Sequence, residues 1–227
     1  MRVVKRKVWE RAQTGHLETW VDFARERRAR TEERAPVWRA ILKEVEAQRP
    51  FRSGERVLDI GCGLDTVLDY IPDVFGVTID SLMAPLAELG LSEVAQHAAG
   101  AFEELPFRDA SFDRVFLMNV LDHVRKPDAG LAEVARVLRA GGVLVLSVDT
   151  FAGRRYREKR LHKWWARVRG ARTKHPWVFS IPDIQRQLER AGFEPGRPGH
   201  VPGTKDRRTF FTSERYPAPA HGSPSRP

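Results

Sequence analysis

Four short apolar runs constrain this chain more than any other feature: Val57-Leu58-Asp59-Ile60, Val74 to Ile79, Arg114 to Met118 and Val143 to Val148. They are nearly continuous rather than alternating, so both faces of each strand must be covered. Helical patterns lie between them, clearest from Ala129 to Leu138, where Leu131, Val134, Ala135 and Leu138 share one face. Strands buried on both faces and alternating with helices predict an α/β domain around a parallel sheet. Each run stops at something small or polar: Gly61-Cys62-Gly63, Asp80, Asn119 and Asp149.

The flanks differ from this centre. Residues 1–55 read as a helical cap, with Trp20, Phe23 and Ala24, then Val37, Ile41, Leu42 and Val45, recurring at helical spacing. Pro36 is expected to open the second helix and Pro50 to follow its end. Residues 56–215 form the sheet domain, with a turn at Gly141-Gly142 ahead of the fourth run and a basic helical lid inserted at 151–181. A helix over 182–191 ends at Gly192. A strand begins at Phe193 and a last one covers Arg208 to Thr212, with Pro198 and Pro202 making the segment between them irregular. The 216–227 tail is rich in proline and poor in apolar groups, which predicts disorder.

Charge follows the same division. Residues 1–56 carry 15 basic and 9 acidic groups, residues 57–150 carry 6 and 15, and residues 151–227 carry 18 and 6. An acidic centre between basic flanks points to separate jobs or to a partner met by the flanks alone. The plain alternative is arginine spread over solvated faces. A single cysteine, Cys62, excludes a disulfide framework and a multi-cysteine zinc site. No apolar stretch is long enough to span a membrane, and the amino-terminal MRVVKRKVWE has no apolar core of a signal peptide. A soluble, cytoplasmic protein is expected.

In open parallel sheets the ligand lies beyond the carboxyl ends of the strands. Glycines at 61 and 63 allow backbone N–H groups to approach it, and Asp80, 19 residues after Gly61, suits a ribose diol. A nicotinamide fingerprint would need a small residue where Thr66 stands, and Asp65 would repel a pyrophosphate at this turn. A ribose-bearing cofactor without phosphate fits better.

The segment Val57 to Gly63 resembles the first motif of class I S-adenosylmethionine (SAM)-dependent methyltransferases. Gly100 to Val124 and Ala135 to Asp149 are similar to the small-molecule branch containing ubiquinone, menaquinone and sugar methyltransferases, with weaker likeness at His175 to Ser180 and Ala191 to Glu194. The resemblance implies a Rossmann-like seven-stranded, mostly parallel sheet in the order 3-2-1-4-5-7-6, with helices on both faces and the last strand antiparallel. It also implies SAM as cofactor and S-adenosylhomocysteine as product. By the same resemblance, Gly61, Cys62 and Gly63 line the methionine part, with Asp59 near its amino group. Asp80, followed by Ser81 and Leu82, holds the ribose. Ala101 and Phe102 border the adenine, and Asn119 offers its backbone carbonyl to the ammonium. The chain departs from the pattern at Asp65, often a third glycine, and at Ala101, commonly an aspartate.

His123 follows the third run at the rim where an acceptor would meet the methyl group. It reads either as a structural histidine or as a general base. Asp149 reads as a helix cap, as the group orienting His123, or as a base itself. His162 and His175 read as ordinary. Cys62 reads as a small buried filler. No metal is required by in-line methyl transfer, which rests on alignment and exclusion of water.

The insertion from Arg154 to Lys174 holds ten basic residues, with Leu161, Trp164, Trp165 and Val168 forming one stripe. It fits a lid with an apolar underside, an anionic or lipid-linked acceptor, a peripheral membrane contact or nucleic acid. Trp9, Trp20 and Trp38, together with residues 154–179, are expected to wall the acceptor pocket. Asn119-Val120-Leu121-Asp122 lacks the prolines and ring of base-amine methyltransferases, which disfavours nucleic acid. The expectation is methyl transfer to a small-molecule or lipid-linked acceptor, oxygen favoured. The alternative is a SAM-fold binding or regulatory protein without turnover that meets a membrane or polyanion through its basic flanks.

Overall fold

The computed structural model describes residues 6–25, 27–89, 97–169, 175–200, 204 and 207–217. Arg172 and Lys174 of the insertion, Pro202, and the proline-rich tail from residue 218 onward lie outside the described residues.

In chain order the elements are α1 (Arg6–Arg25), α2 (Arg27–Gln48), β1 (Glu55–Ile60), a 3₁₀ turn (Val67–Tyr70), β2 (Val74–Asp80), α3 (Met83–Glu88), β3 (His97–Ala99), β4 (Phe112–Met118), α4 (Pro127–Val137), β5 (Leu138–Asp149), α5 (Gly153–Val168), α6 (Ile181–Arg190), β6 (Arg197–Gly199) and β7 (Arg208–Glu214). The strands form one seven-stranded sheet in the order β3-β2-β1-β4-β5-β7-β6. The first five are parallel, and β7 runs antiparallel to both β5 and β6.

Successive side chains of a strand point to opposite faces, and two cores follow from that alternation. Leu58, Val115, Leu117, Leu144 and Leu146 pack with Leu131 and Val134 of α4 and with Ile184 and Leu188 of α6. Val57, Phe116, Val145 and Phe210 pack on the other side with Trp38, Ile41, Leu42 and Val45 of α2. Helix α1 serves neither face squarely. Its Trp9 packs against the first core, while Leu17 and Trp20 meet Cys62, Leu64, Leu82 and Met83 beyond the carboxyl ends of β1 and β2. Eleven residues are about three helical turns, so Trp9 and Trp20 share one side of α1 and cross the end of the sheet together.

Local differences from the sequence reading have physical reasons. Pro36 lies inside α2 rather than at its start. An internal proline costs about 3 kcal/mol, and burial of Trp38, Ile41, Leu42 and Val45 just beyond it offsets that cost. Gly141-Gly142 is no turn: β5 starts at Leu138 and runs through both glycines, with a register irregularity against β4 between Phe112 and Arg114. Phe193 makes only an isolated bridge to Arg215, and the sixth strand begins at Arg197. Pro198 is tolerated there because β6 is an edge strand.

At the amino ends of the strands, opposite the ligand side, Arg114 Nε donates to Glu55 Oε1 at 2.9 Å. The guanidinium also lies 4.2 Å from the Phe51 ring centroid. This buried pair fastens β1 to β4 and takes no part in the cavity.

Candidate active site

A cavity of about 680 Å³ opens beyond the carboxyl ends of β1, β2 and β4, beneath α1 and α2. Its size falls in the range of roughly 300–1,000 Å³ usual for small-molecule sites. Its wall includes Asp59, Gly61, Cys62, Asp80, Ser81, Leu82, Ala101, Phe102, Asn119 and His123. Trp9, Trp20 and Trp38 line it as well.

The turn after β1 is shaped by two glycines with positive φ, Gly61 at 72° and Gly63 at 60°. A Cβ on Gly61 would come within 2.3 Å of Val120 Cγ2, and one on Gly63 within 2.4 Å of the Trp20 ring. Both conformation and close approach therefore demand glycine. Because the Trp20 indole lies on it, Gly63 does not reach the cavity wall, whereas Gly61 does. Asn119 also has a left-handed backbone, φ 61°, which turns the chain as β4 ends.

Three carboxylates brace this turn. Asp59 Oδ2 accepts from Thr66 Oγ1 at 2.7 Å and from Val67 N at 3.2 Å. Burial dominates its environment and pushes its pKa up to about 7. Asp80 Oδ2 accepts from Gly63 N at 3.0 Å and its Oδ1 from Leu82 N at 2.8 Å. Burial raises Asp80 too, with those two N–H groups pulling the other way. Asp65, where a third glycine is usual, receives Trp38 Nε1 at 2.9 Å and Arg34 Nε at 2.8 Å. That departure is a latch between α2 and the glycine turn. Burial keeps the Cys62 thiol protonated far above its ordinary range, so it is no nucleophile.

The rim holds a cluster the sequence only half revealed. Asp122, 5% exposed, places Oδ2 2.7 Å from His175 Nδ1 and Oδ1 3.5 Å from His123 Nε2. The two imidazole centroids are 4.2 Å apart at 51°. Burial alone would raise the Asp122 pKa, but the His175 hydrogen bond and the charges of His123 and His175 hold it below the usual carboxylate range. Trp177 pins the arriving segment to the loop after β4, donating Nε1 to Val124 O at 2.6 Å. Trp9 Nε1 donates to His123 O at 3.2 Å from the α1 side. One carboxylate and two imidazoles, with ligand atoms within 4.8 Å of one another, are also a set that could hold a divalent ion.

Asp149 does not join this cluster. The antiparallel register sets it opposite Arg208, and its oxygens accept from Arg207 Nε at 2.5 Å and Arg208 Nε at 2.6 Å. Burial opposes ionisation there, but the two guanidinium groups outweigh it and leave Asp149 below its ordinary value. The group beside His123 is its sequence neighbour Asp122. Of the residues described in the insertion, His175 alone is in the cavity wall, and none of α5 lines it.

Fold and cavity together define a doubly wound α/β protein with a ligand crevice at the carboxyl edge of its sheet. A family model described as a methyltransferase domain matches residues 28–195, and the chain belongs to that methyltransferase family. An O-methyltransferase (cnsE) of Penicillium expansum is 27% identical over 190 residues, covering 79% of this chain and 64% of that protein. A tRNA U34 carboxymethyltransferase of Stutzerimonas stutzeri is 32% identical over 155 residues, covering 62% of this chain and 46% of that one. The chain thus spans about half to two thirds of the length of these relatives. Among solved structures, the 1,6-didemethyltoxoflavin-N1-methyltransferase of Burkholderia thailandensis, with its substrate and S-adenosylhomocysteine bound, has a TM-score of 0.64 at 19% identity, covering 95% of this chain and 92% of that one. The family's cofactor fits what the cavity offers: bare peptide at Gly61 and a carboxylate at Asp80.

Proposed function

We propose that this protein transfers a methyl group from SAM to a small-molecule or lipid-linked acceptor, with oxygen the favoured atom. When bound, SAM supplies a methyl carbon on a cationic sulfur, which leaves as the thioether of S-adenosylhomocysteine. Asp80 holds the ribose hydroxyls, Gly61 and the Asn119 carbonyl the amino-acid end, and Phe102 the adenine side. Trp9, Trp20 and Trp38 exclude water and flank the acceptor. The His123–His175 pair takes the proton released when the acceptor oxygen bonds to carbon. Asp122 fixes the His175 ring through Nδ1, so Nε2 is the atom that receives that proton.

One observation carries this reading: two imidazoles, backed by the buried Asp122 carboxylate, stand on the rim of the same cavity whose floor includes Gly61, Cys62 and Asp80. The O-methyltransferase among the relatives supports the choice of oxygen.

Calorimetric titration with S-adenosylhomocysteine tests the cofactor, and an acceptor screen followed by rate measurements tests the chemistry. Asp80→Ala should weaken cofactor binding by about 1–3 kcal/mol. His175→Ala and His123→Ala should lower kcat by roughly 10²–10⁴-fold while leaving cofactor affinity intact. A chelator should leave turnover unchanged. Absence of any cofactor binding sinks the enzyme reading, and full turnover in both histidine variants ends the base assignment.

A further inference from the structure

The basic insertion leaves the sheet and returns to it at one point. Phe151 N donates to Phe179 O at 2.9 Å, and Thr150 forms a parallel bridge with Phe179. The Tyr156 hydroxyl bonds Asp183 at the start of α6, which ties down the first turns of α5. The far half of the helix is different. Leu161, Trp164, Trp165 and Val168 are 57%, 45%, 46% and 61% exposed. Their spacing puts all four on one side of the helix, and the two indoles meet edge to face at 4.9 Å. An apolar stripe at helical spacing is ordinarily the buried side of an amphipathic helix, and here it faces outward.

The charge around the stripe says what covers it. The α5 sequence has seven Lys and Arg against one acid, Glu158, and that carboxylate is held by Arg154 at 2.6 Å. Arg169, just past the helix, places its guanidinium 5.5 Å from the Trp165 ring centroid. Cations bordering adjacent tryptophans on a helix lying flat match the interfacial layer of a bilayer, where indoles sit at headgroup depth and cations meet phosphate. A polyanion alone would match the charge but leave Leu161 and Val168 in water. Among the described residues no helix is long and apolar enough to cross a membrane, so such contact is made from one side.

We infer that α5 is a docking surface for a membrane carrying anionic lipid headgroups, with Trp164 and Trp165 entering the interface. The inference stands independently of the methyl-transfer reading, because none of α5 lines the cavity.

Flotation of the full chain with vesicles tests it. The chain should float with mixed phosphatidylglycerol–phosphatidylcholine vesicles, remain behind with phosphatidylcholine alone, and be released by salt. The double variant Trp164→Ala, Trp165→Ala should lose flotation while keeping its thermal midpoint and S-adenosylhomocysteine affinity. Replacing Arg157, Lys159 and Lys163 with Gln should lower partitioning about fivefold per charge removed. Flotation that ignores lipid charge, or that survives loss of both tryptophans, overturns the inference. So does an absence of flotation, including the case where the chain binds RNA with a steep salt dependence instead.

Discussion

Asp59 is buried at the end of β1 and accepts two hydrogen bonds, yet burial lifts its pKa from 3.8 to about 7. Between those values the folded chain keeps a proton that the unfolded chain has released. Stability contributed at this site therefore falls as pH rises from about 4 to about 7 and is flat above that. Three pKa units set an upper bound of about 4 kcal/mol. Asp59→Asn should flatten urea-midpoint profiles across this window, and variant and parent profiles of equal slope would refute the assignment. The same scale shows what a linear sequence conceals. Gly61 and Asp80 were legible because a local turn and a strand end carry their own signals. His175 was not, because its meaning comes from Asp122, 53 residues earlier, and from the Trp177 anchor that brings them together. Asp149 misled for the converse reason: a strand-end acid looks the same in sequence whether it faces a cavity or, as here, Arg207 and Arg208.

Among elements, the central strands β1, β2, β4 and β5 were readable because coverage on both faces forces continuous apolar runs. Strands β3 and β6, three residues each at the sheet edges, are too short for a periodic signal, and β6 contains a proline. Helix α6 was legible through the helical pattern ended by Gly192, and the structure adds a reciprocal capping box at its start, formed by Ser180 and Asp183. Ser180→Ala should destabilise the chain by about 1 kcal/mol in chemical denaturation; a change indistinguishable from zero would mean the cap is redundant. The latch between α2 and the glycine turn is a larger effect. Asp65→Ala leaves the Trp38 N–H and the Arg34 guanidinium without that carboxylate, and should cost about 1–3 kcal/mol. It should also weaken S-adenosylhomocysteine binding, because the turn loses its brace. Normal affinity in a destabilised variant would separate the latch from the site.

For the molecule as a whole, a ligand that binds only the folded chain raises its stability. At a concentration 100 times its Kd, S-adenosylhomocysteine should add about 2.7 kcal/mol. For a chain of 227 residues that moves the thermal midpoint up by roughly 5–11 °C. An unmoved midpoint at saturating ligand would leave the cavity without its proposed occupant. The charge division also acquires a location. The acidic centre supplies nearly all of the five parallel strands and most of the cavity floor, whereas the basic carboxyl-terminal third adds β6, β7 and the projecting α5 with its outward-facing tryptophans.

Two of the chain's six indoles are in touch with the glycine turn: Trp20 lies on Gly63, and Trp38 donates to Asp65. The protein consequently carries its own optical gauge at the spot where a ligand would arrive. Emission from these rings should change when that turn is occupied, so occupancy can be followed in real time with no label attached.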